Sequence, residues 1–241
     1  MTMAMAMDLT GFSVCVAVFT GALVQGTTGM GFALIVVPVL ALAAPAMLPG
    51  ALLLAMLPLN AYVAWRERHA IDVRGAGWIS AGRVAGTFGG LWVLVAMPMA
   101  WLNMLVGGST IAAAVVSLAA PAFTPGRLTF ASTGLITGVT ETATGVGGPP
   151  LALAYQHAPV ATLRATVALC FLFGEVISLV VLALGDRLGT TQVLYALGLL
   201  PVLAAGMVAS HLVHRRINQR MLRMGVLVFA LVSGAVVLLR S

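Results

Sequence analysis

Two stretches of this chain share one pattern, in which an apolar run leads into a polar, glycine-rich break and then into more apolar sequence. Residues 21–38 read GALVQGTTGMGFALIVVP, and residues 138–153 read GVTETATGVGGPPLAL. An offset of 116 positions places Thr28 on Thr144 and superposes the Thr-Gly-x-Gly sequence of the two stretches. The pattern therefore predicts two equivalent structural elements in the two halves of the chain.

The composition is that of a membrane protein. Of 241 residues, 61% are hydrophobic and 7% are charged, whereas a soluble domain has about 25% charged residues. Apolar runs of about 20 residues, the length that crosses a bilayer, recur along the chain. The net charge of +6 results from twelve arginines and six acidic residues. Most of the arginines lie in short gaps between apolar runs, where membrane proteins keep cytoplasmic charge. We therefore expect a multi-pass membrane protein with no nucleic-acid partner.

Charges and prolines divide the apolar sequence into eight segments. Six have ordinary span length, and each of the two broken ones is predicted to have two apolar arms of about 12–15 residues. Arms of that length are typical of re-entrant or half-helix elements. The segments cover residues 11–44, 46–65, 76–96, 99–119, 129–156, 161–184, 190–213 and 221–239.

The arginines also indicate how the chain is oriented. The basic loop at residues 66–75 is expected to lie in the cytoplasm. If segment 129–156 crossed the membrane once, the basic loop at residues 214–220 would face outside, against the positive-inside tendency. A re-entrant hairpin keeps that loop inside and leaves residues 185–189 and both termini outside.

The fold predicted from these segments is an all-α polytopic membrane protein with two inverted repeats. Each repeat has a broken, re-entrant helical hairpin and three transmembrane helices. Repeat one covers residues 11–119, repeat two covers 129–240, and 120–128 form the junction within a single transmembrane domain, 1–241. Three spans, an odd number, give the halves opposite orientations, an arrangement that suits alternating access around a central site.

These residues resemble the TauE/SafE family of sulfite and organosulfonate exporters. The resemblance rests on the Gly-x-Gly pattern at 29–31, the sequence TGVGGP at 144–149 and the stretch at 158–166, and it covers nearly the whole chain. It implies transport of small organic or sulfur oxyanions by a multi-pass protein of the bacterial inner membrane. The sequence departs from the family at Phe32, where another glycine is expected, and in segment 44–50, which has no arginine or threonine.

The two breaks are the candidate substrate site. Irregular backbone survives within a membrane only where protein or a water-filled cavity surrounds it, and a broken helix exposes N–H groups that favour an anion. Glycines there allow the backbone to approach a ligand; the alternative is that they serve close helix packing. The predicted substrate-binding residues are Gln25, Thr28, Gly29, Gly31, Thr144, Gly145, Gly147, Gly148 and Arg164.

Three charged residues lie inside apolar segments, where a charge is costly and usually functional. Glu141, which the offset places on Gln25, is predicted to carry a proton coupled to anion movement; the alternative is a structural carboxyl group. Arg83 and Glu175 lie in different halves and are predicted to form a structural ion pair, because isolated buried charges are expensive.

Other polar residues have two interpretations each. Arg164 is close in sequence to the second break and offers a fork that matches sulfonate or carboxylate oxygens, or it reaches lipid headgroups. Gln25, Thr28, Thr144 and Asn60 either face the site or form hydrogen bonds between helices.

The motifs argue against catalysis. The histidines lack metal-ligand spacing, and the chain contains no His-Glu-x-x-His sequence or P-loop, so we predict no metal, no cofactor and no enzyme. The leading hypothesis is a secondary transporter that couples protons to a small sulfur-containing or organic anion by alternating access. An anion channel and a membrane protein without transport function are the alternatives, and the sequence leaves a homo-oligomer open.

Overall fold

The structure is a computed structural model that describes residues 2–119, 125–213 and 219–239. Regular structure within these ranges is helical. Two short 3₁₀ turns, Pro45–Met47 and Arg68–Ala70, flank the third helix. The α-helices of the described ranges are α1 (Thr2–Thr28), α2 (Phe32–Ala43), α3 (Gly50–Arg66), α4 (Val73–Ala96), α5 (Met99–Ala119), α6 (Arg127–Thr144), α7 (Gly148–Ala154), α8 (Val160–Leu184), α9 (Thr190–Val213) and α10 (Gln219–Leu239).

Four of the described helices are long and apolar enough to cross a membrane. They include α4 and α8, with mean hydropathies of 1.4 and 2.6 over their most apolar windows. The described part of the chain thus fits a multi-pass membrane protein. The four stretches are Thr10–Thr28, Val73–Ala96, Val160–Leu184 and Thr190–Leu212.

Each broken segment folds into a helical hairpin with a long first arm and a short second arm. In the first hairpin α1 has 27 residues and α2 has 12; in the second, α6 has 18 and α7 has 7. A Cβ on Gly21 would lie 2.9 Å from Val36, so α2 runs back along α1. The predicted arm length of about 12–15 residues is therefore confirmed for α2 and wrong for the other three arms, because helix α1 extends through the N-terminal residues and Tyr155 already ends α7.

Contacts between helix ends define the two sides of the molecule. Arg66 at the end of α3 donates to the carbonyl of Gly26 near the end of α1. The Tyr62 hydroxyl lies 3.5 Å from Nδ1 of His211 near the end of α9. Loops 67–72 and 155–159 also meet on this side. We call this side, which contains Arg66, the arginine side. The loop at 44–49 meets residues 186–192 on the opposite side.

These contacts are compatible with the predicted orientation of the loops. The end of α3 and the end of α9 lie on the same side, as expected if both basic loops face the cytoplasm. Residues 214–218 of the second basic loop, and 120–124 of the predicted junction, lie outside the described residues.

Helices of the two halves pack in corresponding pairs. Helix α6 packs on α4 as α1 packs on α9, and α3 packs on α8 as α5 packs on α10. The α4–α6 contact is close enough that backbones touch: a Cβ on Gly82 or Gly86 would lie 2.0 or 2.2 Å from a carbonyl oxygen of α6. Small residues four positions apart permit this approach in membrane helices. The approach brings Glu141 on α6 against Arg83 on α4.

Candidate functional site

The first break ends α1 by a left-handed glycine and a threonine side chain. Gly29 has φ 88°, which an L side chain adopts only with strain, and its N–H donates to the carbonyl of Gln25 at 2.7 Å. Thr28 Oγ1 accepts from the N–H of Met30 at 3.3 Å. Gly31, also left-handed at φ 113°, precedes α2.

The second break repeats this geometry at the corresponding positions. Gly145 has φ 81°, and its N–H donates to the carbonyl of Glu141 at 2.7 Å. Thr144 Oγ1 accepts from the N–H of Val146 at 3.2 Å. Gly147, by contrast, has φ −124°; it is required for space, since a Cβ there would lie 2.4 Å from Glu141 Oε2. The Thr-Gly pair thus has the same local structure in the two halves, whereas the second glycine of each break does not.

Each break lines a separate cavity. The cavity at the first break has a volume of about 230 Å³ and lies towards the arginine side. The cavity at the second break has about 570 Å³ and lies towards the opposite side. Residues that line the first include Thr28, Met30, Gln156, Ala158 and Leu163. Residues that line the second include Pro45, Met97, Ala143, Thr144, Arg187 and Gln192.

The structure places Arg164 on the first break, although its sequence position is closer to the second. A Cβ on Gly29 would lie 2.8 Å from the Arg164 Cα. The guanidinium donates to the carbonyl of Thr27 at 3.0 Å and forms a 2.7 Å ion pair with Glu67. The side chain is 11% exposed. Arg164 is therefore a protein-held cation beside the first break, and not a free headgroup anchor.

Arg66 adds a second cation at the same place. It forms a 3.1 Å ion pair with Glu67 and donates to the carbonyl of Gly26 at 3.2 Å. Its Nη1 is buried and has no hydrogen-bond partner among the described residues. Two arginines thus face one glutamate, which leaves a surplus of one positive charge beside the first break.

A buried ionic cluster lies deeper, between the two hairpins. Arg83 is 0% exposed; its Nη2 donates to Glu141 Oε2 at 2.5 Å, and its Nη1 donates to the carbonyl of Cys170 at 3.0 Å. Gly174 leaves the room for this side chain, since a Cβ there would lie 1.9 Å from the guanidinium carbon. The ring of Phe171 covers it at 5.7 Å.

The Arg83–Glu141 contact corrects the predicted pairing of Arg83 with Glu175. Within the described ranges, the ion pair of Arg83 is with Glu141. The physical reason is the backbone contact between α4 and α6, which brings the Glu141 carboxylate directly against Arg83. The role of Glu141 as a proton carrier stays a prediction. Its ion pair with Arg83 favours the ionised carboxylate and therefore opposes protonation of Glu141.

Glu175 ends a chain of hydrogen bonds from the first break. The Phe32 N–H, at the start of α2, donates to Gln25 Oε1 at 3.2 Å. Gln25 Nε2 donates to Asn60 Oδ1 at 2.8 Å, and Asn60 Nδ2 donates to Glu175 Oε1 at 2.6 Å. All four residues are buried. Sequence reasoning treated Asn60 as one of several neutral polar residues and missed that it connects the first hairpin to α8.

The short arm of the second hairpin is fixed on the arginine side. The Tyr155 hydroxyl donates to Asp72 Oδ2 at 3.0 Å, while the Asp72 N–H donates to Thr166 Oγ1 at 2.9 Å. Burial, followed by the adjacent Asp72 carboxylate, raises the pKa of the Tyr155 phenol above its ordinary value. These bonds join the end of α7 to α4 and α8. No feature of the sequence pattern indicated them.

The described residues contain no group of three histidine, cysteine, aspartate or glutamate side chains that could hold a metal ion. The site is therefore built from two helix breaks, a cationic group and a buried ionic cluster. With several apolar helices of spanning length, this arrangement defines a multi-pass membrane protein with polar groups between its helices.

Comparison with protein families identifies the class of membrane protein more closely. Residues 14–237 match the family described as sulfite exporter TauE/SafE. The chain therefore belongs to this family of membrane transporters, as its motifs predicted. Neither the curated proteins nor the solved structures contain a match.

Proposed function

We propose that this protein is a secondary transporter that moves a small sulfur-containing or organic anion across the bacterial inner membrane. Its two halves act as inverted repeats that expose a central site to each side in turn. The anion's charged group binds near the two breaks, and its movement is coupled to a proton.

The observation that carries this proposal is the pair of matching breaks with separate cavities. Gly29 and Gly145 end their helices with the same bond to the carbonyl four residues earlier. One break lines a cavity towards the arginine side and the other lines a cavity towards the opposite side. Two similar elements that face opposite sides are what alternating access requires, because each half can take the conformation of the other.

The charge distribution supports an anionic substrate. Arg66 and Arg164 face Glu67, so one positive charge remains beside the first break. Guanidinium groups bind oxyanions through paired N–H donors, and the buried Arg66 Nη1 is a donor without a described partner. A carboxylate, sulfite or sulfonate group could therefore bind beside the first break, where the surplus positive charge would neutralise it.

The test is a flux screen with purified protein in proteoliposomes. Sulfite, a set of sulfonates and a set of carboxylates are offered under an imposed pH gradient. We expect saturable uptake of at least one anion and counterflow of labelled substrate when unlabelled substrate is trapped inside. Flux that neither saturates nor shows counterflow would indicate a channel, and no flux of any anion class would refute the proposal.

A matched pair of variants connects this flux to the second break. Gly147→Ala places a Cβ 2.4 Å from Glu141 Oε2, whereas a Cβ on Gly77 in α4 meets no described atom within 4 Å. We expect Gly147→Ala to reduce uptake strongly and Gly77→Ala to retain it. Equal activity of the two variants would show that close approach at Gly147 does not matter for transport.

A further inference from the structure

The buried ionic cluster contains one carboxylate more than it has cations. Arg83, Glu141 and Glu175 are all 0% exposed, so the cluster has a net charge of −1 if both carboxyl groups are ionised. An uncompensated charge is expensive in a low-dielectric interior. Binding of a single proton makes the cluster neutral.

The contacts of the two carboxyl groups differ, and the difference locates that proton. Glu141 Oε2 accepts a 2.5 Å hydrogen bond from the arginine, which stabilises its ionised form. Glu175 Oε1 accepts from Asn60, a neutral amide. No cation within the described ranges forms an ion pair with Glu175. The arginine therefore compensates Glu141 and leaves Glu175 to take the proton.

The second oxygen of Glu175 is free to receive it. Glu175 Oε2 is buried and has no hydrogen-bond partner among the described residues. The same is true of Glu141 Oε1, so it is the arginine contact of Glu141 that distinguishes the two carboxyl groups. Because Asn60 donates to the other oxygen, Oε1 can accept that bond whether or not Oε2 carries a proton. Protonation at Oε2 thus changes the charge of the cluster without breaking the hydrogen bond to α3.

The charged and polar groups that act on Glu175 come from the helices packed around it. Helix α4 presents Arg83, α6 presents Glu141 and α3 presents the neutral Asn60; Cys170 lies on α8 itself. We propose that Glu175 binds the coupling proton at Oε2, while Arg83 and Glu141 stay paired through the transport cycle. This inference rests on the proposed function and assigns its proton to a residue other than the one the sequence indicated.

A chain of hydrogen bonds connects the protonation site on Glu175 to the first break. Gln25 and Asn60 connect Glu175 to the Phe32 N–H at the start of α2. Each donor in the chain points towards Glu175, so an ionised Glu175 strengthens these bonds and holds the first hairpin against α3 and α8. A proton taken from water weakens them and loosens that hairpin. Release of the proton to water on the other side of the membrane restores the negative charge of Glu175.

The first experiment measures the proton without any substrate. Infrared difference spectra of the protein in lipid, recorded as pH is changed, detect a protonated carboxyl group by its C=O absorption. We expect one buried carboxyl band that Glu175→Gln removes and that Asp186→Asn, at an exposed acid in the loop after α8, retains. A band that persists in Glu175→Gln would overturn the assignment.

A second variant keeps the experiment decisive if Glu175→Gln does not fold. Asn60→Ala removes the donor to Glu175 Oε1, which is the carbonyl oxygen once Oε2 is protonated. Loss of a hydrogen bond to a C=O group raises its stretching frequency, so the band should move upwards. An unmoved band would place the proton on a carboxyl group that Asn60 does not contact.

The transport arm tests the role of the proton. For one proton moved with each monoanion, a gradient of one pH unit supports accumulation of about tenfold. In Glu175→Gln we expect an accumulation ratio near one, with counterflow still detectable. Tenfold accumulation in this variant would refute the inference and leave the proposed function intact. Accumulation that follows a sodium gradient at equal pH would assign the coupling ion differently and would also refute it.

Discussion

Replacing Arg83 by methionine should destabilise the protein strongly, although methionine fills much of the same space. Both members of the Arg83–Glu141 pair are 0% exposed, so the change leaves Glu141 buried without its cation. Removing one partner of a buried ion pair costs about 3–5 kcal/mol. For a chain of this size each kcal/mol lowers the melting temperature by about 2–4 °C. We expect a loss of about 6–20 °C.

Cys170 provides the assay, because it is buried and its carbonyl accepts from Arg83. In a Cys15→Ser background, which removes the half-buried second cysteine, a thiol-reactive fluorophore added during heating in detergent should label Cys170 when the helices separate. Stability of Arg83→Met should also fall as pH rises, since the folded variant retains two buried carboxyl groups that are tolerated only with protons bound.

Two controls separate the ion pair from general effects. Arg68→Met removes an exposed arginine that contacts Trp65 and should change stability by no more than about 0.5 kcal/mol. Combining Arg83→Met with Glu141→Leu removes both charges and should recover much of the loss. A melting temperature of Arg83→Met within the error of Arg68→Met would refute the reasoning.

Two further predictions follow from the packing and from the sides of the molecule. Gly174→Ala should lower the melting temperature nearly as much as Arg83→Met without changing any charge, because its Cβ would lie 1.9 Å from the guanidinium carbon. The control is Gly198→Ala, where a Cβ meets nothing within 4 Å. Equal melting temperatures of Gly174→Ala and Gly198→Ala would contradict the expected steric clash. Single cysteines in the loops at 66–75 and 214–220 should be labelled from the same side of the membrane and one at 185–189 from the other, and labelling of the two basic loops from opposite sides would contradict the inverted arrangement.

The sequence predicted those features that depend on residue type and period. Apolar runs between charges gave the helices closely: segment 190–213 corresponds to Thr190–Val213, and segment 161–184 to Val160–Leu184. The break residues Gly29 and Gly145 were identified because glycine and threonine at matching positions have a local structural consequence. Such features depend only on a few residues that are neighbours in the sequence, so they can be predicted from it.

The partners of the buried charges could not be predicted in the same way. Which carboxylate meets Arg83 depends on how closely α4 and α6 approach, and that distance is set by glycines on both helices. The spacing of Gly82, Gly86 and Gly90 is a recognisable signal for such packing, but it does not name the helix that packs there. Arg164 was likewise assigned by sequence proximity to the second break, whereas the fold places it on the first.

The two hairpins share the backbone geometry at Gly29 and Gly145, but interactions of unequal strength hold them in place. At the position where the second has Glu141, tied to Arg83 by a buried ion pair, the first has Gln25, tied to Asn60 by a neutral hydrogen bond. Separating opposite charges in a low-dielectric interior costs far more than exchanging one neutral hydrogen bond for another. The second hairpin is also in backbone contact with α4 through α6. A proton that is to change the conformation must therefore act on the weaker connection, and Glu175 is the titratable group in contact with it.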